Sequence, residues 1–525
     1  MRSPGFLPPL LPLLILLSLC TGCITPEKWQ VYKPDALPVR KAVQPMPASS
    51  SGPGDKAPGP EEDALNLSVE NAVLLALENN RDLRIKRLNP VIAGLFEQIE
   101  QGAWDPELFT TLAVENESDP DPDDEESALS LTTGIRQKLP WGTTLEGSLG
   151  LEDVRSGGTP PEDSVRGGLS VTQALLRGAG PSVNLAAIHI SHLNTLASRY
   201  ELEGFALMLV GETEIAYWNY VLAQKEHTIV ENALAVSKRQ QDEVRARIEV
   251  GILPDNELAA ASAEVARQEQ ALISSRNQVA DRRMRLLHLF HPGSAAHLDR
   301  PVTAVSSPYI PPVPATKLSD RIALALATRP ELKETDLRLR QGRLDTMVTR
   351  NGILPRLDFF IDLGINGYGS GTGRAVRNID DDAYDVTAGL SLSLYLNNRA
   401  ARARHRAAVA TLDQAELARE NLAHQVELEV RLAAEAADTA RKLIAAARAT
   451  REFEEQTVQA EIERFKAGTS TALLVVQARR DLLVSQIAEA RAVINYRIAL
   501  VRLFMAEGSL LERRGLSTGG QMSLP

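Results

Sequence analysis

Cysteine is nearly absent from the 525 residues: only Cys20 and Cys23 occur, both close to the N-terminus. That excludes a disulfide-stapled fold and a structural zinc site built on thiolates. Aromatic residues are equally scarce, at 4%, while Leu and Ala are plentiful. A core of that kind favours long helices packed through small side chains. Basic charge is in deficit: 57 Lys and Arg against 68 Asp and Glu leave a net −11. A nucleic-acid partner, which needs a basic face, is therefore disfavoured. No apolar run reaches the ~20 residues of a membrane-spanning helix. The chain also lacks Gly-x-Ser-x-Gly, His-Glu-x-x-His and a P-loop, and its 7 Met are scattered. No enzymatic activity and no cofactor are expected.

The remaining metal candidates are weak. His189 and His192 share a helix face, and His288, His291 and His297 cluster loosely. With 8 His in the chain, packed or solvated imidazoles explain them better than a metal site does. The acidic stretch 119–126 has no EF-hand spacing and reads as a solvated loop. Gly369-Ser-Gly-Thr-Gly373 has no Rossmann context and reads as a hairpin tip.

The one strongly apolar run, residues 6–19, has the length of a signal-peptide core. It ends in Leu19-Cys-Thr-Gly-Cys23, which resembles a bacterial lipobox, with Gly22 before Cys23 as the lipidated residue. The rival reading of a redox Cys-x-x-Cys has no βαβ pattern around it. Residues 1–22 are thus expected to be a signal peptide. Residues 23–63 are rich in Pro, Ser and Gly and are expected to form a lipidated tether.

The rest of the chain is a duplication. A shift of 249 carries Leu75, Leu77, Leu83, Leu88, Pro106 and Leu108 onto Leu324, Leu326, Leu332, Leu337, Pro355 and Leu357. The two repeats are expected at 64–300 and 317–510, joined by a Pro-rich linker at 301–316 and followed by a flexible tail at 511–525. Each opens with amphipathic helix that ends near the matching Pro, after which the apolar period changes to two. Alternating segments run through Leu108–Val114, Leu129–Ile135, Leu145–Leu151 and Val165–Val171 in the first copy. In the second they are Phe359–Ile365 and Val386–Leu396. One apolar and one wet face over about ten residues suits a tilted transmembrane strand. Beyond the strands, about 183–250 and 399–467 are free of Pro and carry apolar residues every three or four positions. Examples are Ile215, Trp218, Leu222, Ile229 and Val236, and Val426, Val430, Ala437 and Ile444. This is coiled-coil patterning. Turns at Gly251 and Gly468 send a second helix back in each copy, so each copy contains a helical hairpin.

Six strands in an open sheet leave backbone groups unpaired in lipid, so several chains must close them. At this point the chain resembles the TolC-like outer-membrane efflux proteins over nearly all of residues 64–510. The resemblance rests on the duplicated helix–strand–helical-hairpin unit, on Gln101–Leu108, Asn351–Asp358 and Gly389–Asn398, and on the strand-to-helix junction Val171–Gly180. It implies a mixed α/β membrane protein: a trimeric transmembrane β-barrel continuous with a long periplasmic α-helical coiled-coil barrel. It also implies passive export of solutes as a homotrimer in the outer membrane, with a periplasmic adaptor and an inner-membrane pump as partners. Gly251, Ile252, Gly468 and Thr469 then mark the entrance turns where adaptors dock.

Two departures stand out. The first repeat holds four alternating segments where the family has two per repeat, so three chains give 18 strands unless the extra hairpin lies outside a 12-stranded barrel. The acidic ring carried by the best-known member of that family matches Leu474 and Gln477 here, which become the entrance-constriction candidates without a carboxylate. The competing expectation is a lipid-anchored periplasmic coiled-coil scaffold with a soluble β head.

Overall fold

The structure is a computed structural model and describes residues 65–117, 126–156, 162–290, 298, 300–308, 317–380 and 383–516. The expected signal peptide, Cys23, the expected tether, His291, His297 and most of the acidic stretch 119–126 lie outside the described residues. The first repeat contains β1 (Leu65–Leu67), α1 (Val69–Asn79), α2 (Arg81–Gly102), β2 (Glu107–Glu117), β3 (Glu126–Lys138), β4 (Thr143–Ser156) and β5 (Glu162–Ala174). It continues through α3 (Pro181–Asn184), α4 (Ala186–Glu249) and α5 (Glu257–Phe290). The second contains β6 (Val302–Ala304), α6 (Leu318–Thr328), α7 (Pro330–Asn351), β7 (Arg356–Gly369), α8 (Thr372–Arg377), β8 (Tyr384–Ser393), α9 (Arg399–Lys466), α10 (Ala472–Ala506) and α11 (Leu510–Arg513).

Each repeat uses the same local grammar with different residues. The elbow between α1 and α2 is fixed by Asn80, whose side chain accepts from the Leu83 N–H at 2.9 Å. Its counterpart between α6 and α7 has Pro330 at the first helical position, where the missing N–H costs nothing. After each elbow a 22-residue helix runs to a strand.

The long helices α4 and α9 have 64 and 68 residues, roughly 100 Å each at ~1.5 Å per residue. No single partner covers that length. Near the sheet, α2 packs on α4, α4 on α7 and α7 on α9. Farther away α5 and α10 take over as partners of α4 and α9. Each chain therefore presents four helices both near the sheet and towards the far end.

The main core lies where the two sets meet. It gathers Leu67 of β1 with Val73, Ala76, Leu83, Val210, Tyr217, Trp218, Leu286, Phe290, Ile494 and Leu510 from helices of both repeats. The short strands β1 and β6 pair in parallel across it. Tyr217 Oη donates to the Leu67 carbonyl at 3.1 Å and Tyr220 Oη to the Val302 carbonyl at 2.6 Å. Within the stretch expected as a Pro-rich linker, 301–316, Val302–Ala304 form β6 and Val302 is buried. The tail is not flexible from 511 onward: Leu511 is buried and the Arg514 guanidinium meets the fully buried Glu214 carboxylate at 2.6 Å. A buried carboxylate needs such a partner, and that requirement holds residues 510–514 in place.

Six strands form one antiparallel sheet in the order β2-β3-β4-β5-β7-β8. The last strand stops at Ser393, short of Leu394 and Leu396, where the sequence alternation continues. The chain turns there, with Asn398 in the left-handed region at φ 39° before α9 begins.

Candidate functional site

The registers of the sheet settle which side chains share a face. Leu112 pairs with Leu131, Leu131 with Leu151, Leu151 with Val165, Leu169 with Leu363 and Leu363 with Val386. Paired residues project to the same side, so one apolar surface crosses all six strands. The rest of the chain covers it only at the far end of β5 and β7, where α8 packs beside Gly367 and Val165 is buried; on the outer strands Leu108, Leu112, Val114, Leu390 and Leu392 are each more than 60% exposed. A continuous exposed apolar face of this size marks a surface that something other than water covers. Exposed aromatics flank it, Trp141 at the helix-proximal end and Tyr384 at the far end. About ten residues of strand tilted by ~40° separate such girdles by roughly 25 Å, the apolar height of an outer-membrane barrel. Among the described residues no helix is long and apolar enough to cross a membrane.

The opposite face is polar and self-paired. Arg136 lies 2.8 Å from Glu146 and 3.6 Å from Glu107, and its guanidinium sits over the Phe109 ring. Arg166 meets Asp385 at 2.7 Å, and Asn366 donates to the same carboxylate. The sheet is thus two-sided, and both outer strands, β2 and β8, have one unpaired edge.

The edges of the helical layer match those of the sheet. α2 leads into β2 and α9 follows β8, and these are also the outer helices of the α2-α4-α7-α9 layer. α2 carries an uncovered seam: Ile85, Leu88, Ile92, Leu95 and Ile99 are all about half exposed or more. Their three-and-four spacing is that of a coiled-coil stripe without its partner. Sequence reading missed this seam, although the spacing was there to be read. On α9, Leu417, Leu428 and Leu432 are exposed in the same way.

At the far end the two helical hairpins meet. Gly251 and Gly468 have φ of 72° and 75°, the left-handed conformation of a helix C′ residue. Ile252 N–H donates to the Arg247 carbonyl at 2.9 Å and Thr469 N–H to the Arg464 carbonyl at 2.9 Å. Both turns are therefore Schellman motifs, and the repeat is preserved at atomic detail. Val244, Ala261, Phe465, Ala472 and Val475 form a small core joining the tips. The Glu257 carboxylate accepts from the Ala472 N–H at 3.2 Å, at the N-terminus of α10. Glu264 on α5 receives Gln268 and Arg267 on its own helix and Arg480 on α10. Burial pushes this carboxyl up, but the three hydrogen bonds outweigh it and hold it below the usual range.

The expected entrance residues thus lie at one end. Val250 and Ile252 are about 70% exposed, and Leu473 and Leu474 are about half exposed beside Gln477, which is also exposed. His189 and His192 are both exposed on α4, and His192 contacts Glu97 at 3.3 Å. Among the described residues no group of three or more His, Cys, Asp or Glu is placed to hold a metal.

Comparison with known proteins agrees with this architecture. The sequence profile of the family described as Outer membrane efflux protein matches residues 142–290 and 322–509. The crystal structure of a membrane protein from Pseudomonas aeruginosa shares the fold with a TM-score of 0.63 at 21% identity, over 87% of this chain and 99% of that one. The CmeC outer membrane channel of Campylobacter jejuni gives 0.63 at 17% identity, over 84% and 86%. VceC of Vibrio cholerae gives 0.62 at 16%, over 84% and 96%. Among curated proteins, the pyoverdine export outer membrane protein OpmQ of Pseudomonas putida is 25% identical over 319 residues, 59% of this chain. The match spans 64% of OpmQ, less than two thirds of its length. With more than half of its residues inside the family profile and the fold of solved outer-membrane channels, the chain belongs to the outer membrane efflux protein family.

Proposed function

We propose that the chain is one of three identical staves of a passive export duct. The observation that carries this reading is the coincidence of edges. β2 with α2 bounds one side of the chain and β8 with α9 the other, so a single join pairs strand to strand and apolar helix to apolar helix. An open sheet with one apolar face is prohibitive in lipid, and closure through copies removes every edge. The apolar face then meets the outer membrane and the polar face lines a water-filled passage. The helices continue that passage into the periplasm, and the hairpin tips form its inner end.

The tips supply the contact surface for a periplasmic adaptor and, through it, an inner-membrane pump. Val250 and Ile252 expose apolar area beside Gly251, and Thr469 follows Gly468 at the matching turn. Leu474 and Gln477 are the constriction candidates, and opening is the parting of the hairpins. An acyl group on Cys23 adds a second hold on the membrane. Pyoverdine, the cargo in the description of OpmQ, is the first solute to test.

The test is a disulfide scan. Cysteines along β2 are paired with cysteines along β8, and the purified protein is oxidised in detergent. A denaturing ladder that closes at three chains, with single-channel conductance in planar bilayers, is the expected result. A monomer that is soluble without detergent after Cys23→Ala, with no cross-links, makes the chain a lipid-anchored scaffold instead.

A further inference from the structure

We propose that the β3–β4 hairpin is part of the lipid-embedded wall and widens the mouth of the duct to the bore of its helical tunnel, so that the outlet admits bulky solutes. The inference rests on the three-chain reading above. In the duplication, β2 corresponds to β7 and β5 to β8: Pro106 and Pro355 precede β2 and β7, and the long helices follow β5 and β8. Among the described residues the second copy has no strands equivalent to β3 and β4. The hairpin is therefore an insertion, and its place can be read directly.

It lies within the sheet. β3 pairs with β2 from Glu126 to Arg136, and β4 pairs with β5 from Thr143 to Val154. β2 and β5 never touch each other; two inserted strands separate them. Both faces continue through it. Leu129, Leu131 and Ile135 of β3 and Leu145, Leu149 and Leu151 of β4 extend the apolar side, and Arg136, Glu146 and Ser148 extend the polar side. Its inner turn is built into the joint between barrel and helices. Gly180 N–H donates to the Trp141 carbonyl at 3.1 Å, and Asn184 Nδ2 donates to the Pro140 carbonyl at 2.9 Å. Gln137 Nε2 donates to the Trp104 carbonyl at the end of α2. A hairpin lying outside the wall would have no reason to carry these contacts.

The perimeters explain what the insertion does. Strands ~4.8 Å apart and tilted by ~40° each occupy about 6 Å of wall, so six strands take roughly 38 Å per chain. Four helices side by side at ~9–10 Å take roughly 36–40 Å. The six-stranded wall thus meets the four-helix layer without a taper, whereas four strands would take only about 25 Å. Three chains give 18 strands and a backbone diameter of about 36 Å, against about 24 Å for 12 strands. Once side chains fill about 5 Å on each side, the bores are roughly 26 and 14 Å. Sizing of cargo is then left to the hairpin tips, and large or polymeric solutes leave the mouth unhindered.

The test is polymer exclusion on the full-length oligomer in planar bilayers. Polyethylene glycols of graded size are added on the outer side, and the fall in conductance reports which of them enter. Polymers about 20 Å across are expected to enter. A variant lacking residues 126–156 is expected to exclude them, with a cut-off near 14 Å. The cross-link ladder is run on the same preparation. Three chains with a cut-off near 14 Å in the unaltered protein would overturn the inference and leave the export reading intact. A ladder that stops at two chains overturns the three-chain reading itself.

Discussion

Gly142 shows how much a single backbone position carries. It closes the inner turn of the inserted hairpin at φ 87°, and a Cβ there would run into the carbonyl oxygen of Gly178, itself at φ 83°. Ala at this position adds the left-handed penalty to a backbone collision that no rotamer relieves. Gly142→Ala is expected to cost about 2–4 kcal/mol, read as lower heat resistance of the assembled oligomer on gels. Gly251→Ala meets no neighbouring atom, so only the φ penalty of about 1–2 kcal/mol applies there. Glu264 carries the pH dependence of the tips. Its folded-state pKa is depressed, so its contribution is present above the ordinary carboxylate value of ~4.3 and is lost as pH falls through the lower folded value. The partner guanidiniums are about half exposed, which limits that contribution to about 1 kcal/mol. Spin labels at Ile252 and Thr469 should report a broadened separation at acid pH. In Glu264→Gln the broadening should already be present at neutral pH and no longer change with acid; an unchanged titration would remove Glu264 from the tip contact.

At the scale of elements, the sequence was legible wherever period alone decides structure. Alternation marked the strands because each has one apolar and one wet face, and the long helices showed themselves as Pro-free stretches with Ala and Leu every three or four positions. The turns at Gly251 and Gly468 were legible because helix ends that demand a left-handed residue select Gly. What escaped were contacts made over distance. β6 is three residues long, and only its pairing with β1 makes it a strand. The hold of Glu214 on Arg514 joins residues 300 apart, which no local pattern reports. The α2 seam escaped for a different reason: its stripe is apolar in the isolated chain but has nothing there to pack on. Ile92→Asp with Leu95→Asp places two charges on that seam and leaves the buried face of α2 untouched. Loss of the cross-linked oligomer with an unchanged helical circular-dichroism signal is the expected outcome. Unimpaired assembly would show that the seam faces no sister chain.

For the whole molecule, the decisive issue is which side of the sheet meets lipid, and two neighbouring residues of β4 separate the possibilities. Leu149 lies on the apolar face in mid-strand and Ser148 on the polar face beside it. If the inserted hairpin is wall, Leu149→Arg puts a guanidinium into hydrocarbon at a cost of about 2–4 kcal/mol, while Ser148→Arg puts the same group into water-filled space at little cost. The first variant is expected to yield less heat-resistant oligomer and to insert poorly into lipid vesicles. The second should insert normally and change only conductance and ion preference, because a charge on the passage wall acts on what passes. A hairpin held outside the membrane would make the two substitutions equivalent. A soluble β head would reverse nothing in lipid and would leave both variants dispersed in plain buffer. The contrast between adjacent positions cancels effects of strand propensity and of added bulk, so what remains is the polarity of the medium on each side of the wall.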